Sequence, residues 1–214
     1  MAAADGGGEE LVRAARAVGV RDERLLAALA AIPRTGFVPP AQLNAAARDR
    51  PVPIPHGQVT TQPSLSARMI EGLALAGTEH VLEVGTGYGF QTALLAYLAA
   101  DVVSVDLWPD LVAQARRNLD RQGVRNVELL VGDGSLGVPE RAPFDAILVS
   151  AAFPEVPAPL VEQLRPGGRL VQPIGPGGRD DVMSFRRTGK GLDHGRLLAP
   201  ACFVRLHGEY GYPR

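Results

Sequence analysis

The chain has one cysteine and one lysine. With Cys202 alone, no disulfide forms within the 214 residues and no cysteine metal cluster is possible; no metal site is expected. That usage points to a reducing cytoplasm. Lys190 is the sole lysine, so arginine supplies nearly all the positive charge. Net charge is −1 and no basic stripe is visible, which argues against nucleic acid or an anionic membrane as partner. Arg116-Arg117 and Arg186-Arg187 read as solvated helix and strand positions. No apolar run approaches the roughly 18 residues of a membrane span. The N-terminus, Met1 to Glu10, lacks the basic-then-apolar order of a signal peptide. What the chain has is 46% hydrophobic residues, enough for one sizeable core.

Residues 1–8, rich in Gly and Ala, read as a disordered tail. Residues 9–18 and 22–32 carry apolar side chains at helical spacing. Prolines 33, 39 and 40 break that pattern, and a short helix is expected over 41–48. Residues 51–55, Pro-Val-Pro-Ile-Pro, are stiff and extended. The stretch His56-Gly-Gln-Val-Thr-Thr-Gln-Pro-Ser64 is neither a good strand nor a good helix, and reads as a linker or as a lid. Pro63 suits the first turn of a helix running to about Leu75.

Beyond residue 75, apolar strands alternate with amphipathic helices. Strands are expected at 80–84, 102–106, 127–131 and 144–150, and helices at 90–99, 109–122 and 157–164. Residues 165–168, Arg-Pro-Gly-Gly, read as a turn, followed by a strand from Arg169. Residues 181–187 and 197–207 have β character with no long helix between them. The Gly175–Gly178 stretch reads as a turn between strands. The pattern predicts an α/β fold: a doubly wound, mostly parallel Rossmann-like sheet with an antiparallel C-terminal end. Residues 9–75 form an N-terminal helical and loop cap contributing to the substrate site. Residues 76–214 form the core of the same compact unit.

The segment Val81-Leu-Glu-Val-Gly-Thr-Gly-Tyr-Gly-Phe90 reads as a strand, a glycine loop and a helix start. Gly85, Thr86, Gly87 and Gly89 let the backbone turn sharply and approach a ligand. A dinucleotide loop reads G-x-G-x-x-G; here the third glycine is one residue early. Glu83, two residues before the first glycine, discourages a pyrophosphate and suits an ammonium group. Asp106 ends the second strand of the alternation, where an acid accepts hydrogen bonds from ribose hydroxyls. Asp133, followed by Gly134 after the third, is placed to accept from an adenine amino group. Singly, each has a plainer reading as a tight turn, a helix cap or a turn residue. In register over some 50 residues, they point to S-adenosyl-L-methionine, which has an ammonium group and no phosphate.

Six segments together resemble one family: Phe37-Val-Pro-Pro, Pro53-Ile-Pro-His-Gly-Gln-Val-Thr-Thr-Gln-Pro, Ala67-Arg-Met, Val81-Leu-Glu-Val-Gly-Thr-Gly, Val131-Gly-Asp-Gly and Ala142-Pro-Phe-Asp-Ala-Ile. The resemblance, over about residues 25–208, is to the protein-L-isoaspartate O-methyltransferases. It implies SAM-dependent methylation of the free carboxyl of isoaspartyl residues in damaged proteins and peptides. The family's loop reads Gly-Gln-Thr-Ile-Ser-Gln-Pro, and its serine is the residue usually assigned to the active site. Thr61 stands at that place, Val59 replaces the threonine and Thr60 the isoleucine. The family's Ala-Tyr-x-Asp is here Ala46-Ala-Arg-Asp49, without the tyrosine. Phe203-Val-Arg-Leu206 resembles a family strand that lines the peptide site, which brings in Val204.

A carboxylate with a pKa near 4 is already ionised at neutral pH, so its methylation needs no general base. His56 then reads as a hydrogen-bonding loop residue, and Thr61 as a substrate contact or a helix N-cap. Three alternatives remain: an aspartate of one dedicated peptide, a small-molecule acid, or a SAM-binding module without turnover. The expected enzyme is a monomer with isoaspartyl proteins and peptides as partners.

Overall fold

In the computed structural model, which describes residues 7–213, the alternation of strands and helices closes into one sheet. Its strands are β3 (His80–Val84), β4 (Asp101–Asp106), β5 (Val127–Val131), β6 (Phe144–Val149), β7 (Leu164–Ile174), β8 (Asp180–Thr188) and β10 (Arg196–Ala201). They lie in the order β10-β8-β7-β6-β3-β4-β5, with the two-residue β9 (Gly191–Leu192) beside β8. Strands β5, β4, β3, β6 and β7 are parallel, and β8 and β10 return antiparallel, as expected. Helices α5 (Phe90–Leu98) and α6 (Pro109–Arg121) cross from β3 to β4 and from β4 to β5. The chain then doubles back to place β6 on the other side of β3. That reversal opens a crevice at the carboxyl ends of β3 and β6, beside that of β4, where open α/β sheets bind ligands.

The cap comprises α1 (Gly7–Ala17), α2 (Glu23–Ala31), the one-turn α3 (Leu43–Ala46) and α4 (Pro63–Gly72). Asp22 caps α2, its carboxylate accepting from the amides of Arg24 and Leu25 at 2.9 and 3.3 Å. Leu11, Leu25, Leu29, Met69 and Ile70 from these helices join Leu94 and Leu95 of α5 in one buried cluster against the sheet. Each buried leucine contributes about 1.5–3 kcal/mol relative to an exposed one. A second cluster, with Leu82, Val103, Phe144, Ile147, Leu160 and Leu170, fills the opposite face, where the short α7 (Ala158–Gln163) lies.

Four expectations need correction. Of the tail predicted over 1–8, residues 1–6 lie outside the described residues, and Gly7 and Gly8 begin α1. Glycine suits position 8 because α1 passes close to the end of α2 there; a Cβ on it would meet the Ala30 carbonyl at 2.7 Å. The turn at 165–168 is a bulge inside β7, whose pairing with β6 jumps from Leu164 to Arg169. The last strand ends at Ala201 rather than 207. Beyond it the chain crosses the carboxyl edge of the sheet, where the Ala152 amide donates to Val204 and the Leu206 amide donates back to Ala152, both at 2.8 Å. Finally, the stretch 56–64, read as neither strand nor helix, contributes β2 (Val59–Thr60), which pairs antiparallel in a small hairpin with β1 (Val52–Pro53) of the proline segment, extended as expected. Gly175–Gly178 does turn between β7 and β8, held by the Asp180 carboxylate on the amides of Gly177 and Gly178. Among the described residues no helix is long and apolar enough to cross a membrane.

Candidate active site

The glycine loop leaves β3 at the crevice. Gly85, Gly87 and Gly89 take φ of 99°, 54° and 90°, the left-handed region that a side chain resists. The Asp106 carboxylate at the end of β4 fixes the loop, accepting from the Gly87 amide at 2.8 Å and the Trp108 amide at 3.1 Å. Burial raises its pKa above the usual carboxylate range, and the two amides oppose that rise. Gly85, Thr86, Gly87, Gly89 and Asp106 line a narrow cleft. The hairpin covers it from above with Ile54, Gln58, Val59, Thr60 and Thr61.

Glu83 does not face the cleft as expected. It is fully buried behind the loop, accepting from Thr92 Oγ1 at 2.5 Å, Ser104 Oγ at 2.6 Å and Gln91 Nε2 at 3.1 Å. Burial pushes its pKa up to about 7 against those three bonds. Ser104 Oγ also meets Thr86 Oγ1 at 2.6 Å, so Glu83 braces the loop from beneath. Because β3 is buried on both faces, its alternation gives no sign of which way Glu83 points.

Asp133 is likewise engaged by the protein. Its carboxylate accepts from the Ser135 amide and hydroxyl at 2.9 and 2.6 Å and from the Glu209 amide at 2.7 Å. It anchors the C-terminal segment rather than lining the cleft. Its neighbour Gly134 does line an adjoining pocket with Asp106, Leu107 and Trp108. A Cβ on Gly134 would lie 2.4 Å from Val84, so only glycine fits between the two strands.

His56 sits at the hairpin tip and bonds outside its own loop. Its ring stacks flat on Trp108 with centroids 3.9 Å apart, and Nε2 lies 2.9 Å from Asp110. That bond lowers the pKa of Asp110. Thr60 turns its hydroxyl inward to accept from Arg34 at 3.0 Å. Beyond the hairpin a broader groove of about 560 Å³ runs between α4 and residues 198–204. Val59, Thr61, Ser150 and Val204 line both the cleft and this groove, and so form the passage between them. Among the described residues no partner bonds the Thr61 hydroxyl.

Sequence reasoning missed Ser66, Gln91 and Ser150, all on the cleft wall. Gln91 spends its amide on Glu83 and on Ser150 Oγ, the latter at 2.7 Å. Its Oε1 and the Ser66 hydroxyl are both buried without a partner. Buried polar atoms left unpaired are costly, and both residues belong to the cleft wall. Gln91 Oε1, the Ser66 hydroxyl and the Asp106 carboxylate are acceptors of the kind that suit an ammonium group and ribose hydroxyls. The sequence signal for Gln91 and Ser66 is only that each is polar on an otherwise apolar helix face.

The family description protein-L-isoaspartate(D-aspartate) O-methyltransferase matches residues 7–211. A protein-L-isoaspartate O-methyltransferase of Methanoculleus marisnigri is 49% identical over 197 residues, covering 92% of this chain and 89% of its own. One from an Anaeromyxobacter species is 48% identical over 204 residues, covering 94% and 96%. A solved protein-L-isoaspartate O-methyltransferase superposes with a TM-score of 0.83 at 30% identity, over 95% of this chain and 67% of that one. A Plasmodium falciparum protein solved in complex with S-adenosyl-L-homocysteine shares the fold with a TM-score of 0.76 at 23% identity, over 92% and 96%. On the family match and these relatives, the chain belongs to the protein-L-isoaspartate(D-aspartate) O-methyltransferase family.

Proposed function

We propose that this enzyme methylates the free carboxyl of L-isoaspartyl residues in damaged proteins and peptides, using S-adenosyl-L-methionine. When bound, S-adenosyl-L-methionine supplies an electrophilic methyl that passes to a carboxylate oxygen, leaving a methyl ester and S-adenosyl-L-homocysteine. Positive and negative charge cancel in that step and no proton moves, so the protein's task is to orient and to exclude water. The observation that carries the reading is the junction at Thr61, where a narrow glycine-walled cleft opens into a broader groove of about 560 Å³.

In this reading Gly85, Thr86, Gly87, Gly89 and Asp106 hold the cofactor, with Gln91 and Ser66 at its amino-acid end and Gly134 beside its base. Glu83 and Asp133 act indirectly, one beneath the loop and one on the C-terminal segment. Thr61 contacts the acceptor carboxylate, with Val59 and Val204 forming the walls of the passage. Thr60 and His56 hold the loop that carries them. Residues 9–75 are a cap on the core at 76–214, contributing one side of the substrate site. The same reading takes the enzyme as a cytoplasmic monomer.

Thr61→Val and Thr61→Ser test it with labelled cofactor and an isoaspartyl peptide. Loss of the hydroxyl should lower kcat about 10- to 100-fold, with S-adenosyl-L-homocysteine binding unchanged and Ser retaining most activity. A Val variant with wild-type kcat removes Thr61 from the site. Small dicarboxylic acids that are methylated as efficiently as the peptide would move the substrate class.

A further inference from the structure

The acceptor loop is gripped from behind by a residue with no place in the scheme above. Arg34 opens the 3₁₀ turn Arg34–Phe37 and is 3% exposed. Its Nη1 donates to the carbonyls of Arg48 at 2.9 Å and Ala46 at 3.4 Å. Its Nη2 donates to the carbonyl of Arg50 at 2.8 Å, to Thr60 Oγ1 at 3.0 Å and to the carbonyl of Thr61 at 3.4 Å. The guanidinium carbon also lies 5.8 Å from the ring of Phe90, the first residue of the helix behind the glycine loop. Among the described residues no carboxylate bonds Arg34, and its Nε has no partner. A buried cation without an acid is expensive, so carbonyl oxygens from two chain segments must compensate it. Burial pushes its pKa down to about 10, and the charge of nearby Asp49 opposes that fall. Lysine does not replace this fork, because an ammonium has no planar, two-sided set of donors.

The far side of the loop has a second grip. Asp49 accepts from the Ser64 amide and from Gln62 Nε2, both at 2.8 Å. Arg34 therefore ties residues 60–61 to the carbonyls of 46–50, while Asp49, inside that same stretch, ties residues 62–64. Thr61 is the residue between the two grips. Its carbonyl is spent on Arg34, and its side chain is left at the passage between cleft and groove.

We infer that Arg34 is a positioning residue for methyl transfer, locking the backbone of Thr61 so that its hydroxyl meets the acceptor. The inference rests on the reading of Thr61 as the acceptor contact. Arg34→Lys keeps the charge and loses the fork; Arg34→Ala leaves a slot that a guanidinium ion fits. The Lys variant should bind S-adenosyl-L-homocysteine within about twofold of wild type, yet lose about tenfold or more in kcat on an isoaspartyl peptide. Its amide exchange should quicken at 60–62 and stay unchanged at 83–98. Millimolar guanidinium should restore kcat to the Ala variant. Wild-type kcat in the Lys variant, or a loss matched by cofactor affinity with no rescue, overturns the inference. If the wild-type enzyme itself leaves the peptide unmethylated, the functional reading fails. Exchange at 60–62 in the Lys variant then still decides the role of Arg34: unchanged exchange overturns it.

Discussion

Glu83 shows what a single residue contributes when it is buried rather than displayed. Its folded pKa of about 7 lies above the ordinary carboxylate value, because burial disfavours the charged form. The folded state therefore holds its proton more tightly than the unfolded chain does. The stability it contributes is fully present below the unfolded pKa. It falls as pH rises towards about 7 and is level above that. Glu83→Gln keeps the shape and removes the titration, and the hydroxyls of Thr92 and Ser104 can turn to suit an amide. Thermal melts of the two proteins from pH 5 to pH 8 should diverge, the variant gaining several degrees on wild type as pH rises. Parallel curves would mean that Glu83 is already ionised in the folded state across this range. At this scale the sequence was a partial guide. The acid two residues before the glycines signalled a cofactor loop, but its direction depended on a strand buried on both sides. Arg34 gave no signal, since its partners lie 12 to 27 positions along the chain.

The hairpin is the element on which access to the cleft depends. Its strands pair only Val52 with Thr60 and Pro53 with Val59, too few for an alternation to show. The loop uses His56 and Gly57 at φ of 63° and 67°, both left-handed, as the centre of a four-residue turn closed by the Gln58 amide donating to the Pro55 carbonyl at 3.2 Å. His56 is unusual in that conformation, and its ring is pinned on Trp108 and Asp110, which belong to the far side of the cleft. Those contacts join residues 52 to 54 positions apart, so the sequence shows a lid-like stretch without showing what closes it. The cleft as closed measures about 60 Å³, below the few hundred Å³ typical of ligand sites. On the reading that the cofactor occupies this cleft, the hairpin is expected to lift as it passes. An aromatic stack contributes about 0.5–1.5 kcal/mol beyond burial. His56→Ala should speed S-adenosyl-L-homocysteine release by about 2- to 10-fold, measured by stopped-flow fluorescence of Trp108, the single tryptophan. An unchanged release rate would show that the stack does not govern opening.

At the scale of the molecule, alternating strands and helices were enough to anticipate a parallel sheet with an antiparallel finish. Parallel strands need long crossovers, and these leave a clear imprint on sequence. The final crossing of residues 202–207 over the sheet edge left only β character and the resemblance at 203–206, neither of which shows its path. It depends on backbone bonds to Ala152 and on the Asp180 carboxylate, which accepts from the Phe203 amide at 2.9 Å. That crossing brings Val204 to the passage, opposite a loop held by the cap. The glycine-walled cleft, the N-terminal helices and the C-terminal crossing thus meet at one point, and on the proposed reading acceptor choice depends on all three. Two synthetic peptides that differ only in carrying L-isoaspartate or L-aspartate at one position test this most directly, with methyl-labelled S-adenosyl-L-methionine and base-labile ester as the readout. Label on the isoaspartyl peptide alone is the expected result. Label on both, or on neither while the cofactor still binds, would contradict selective isoaspartyl methylation.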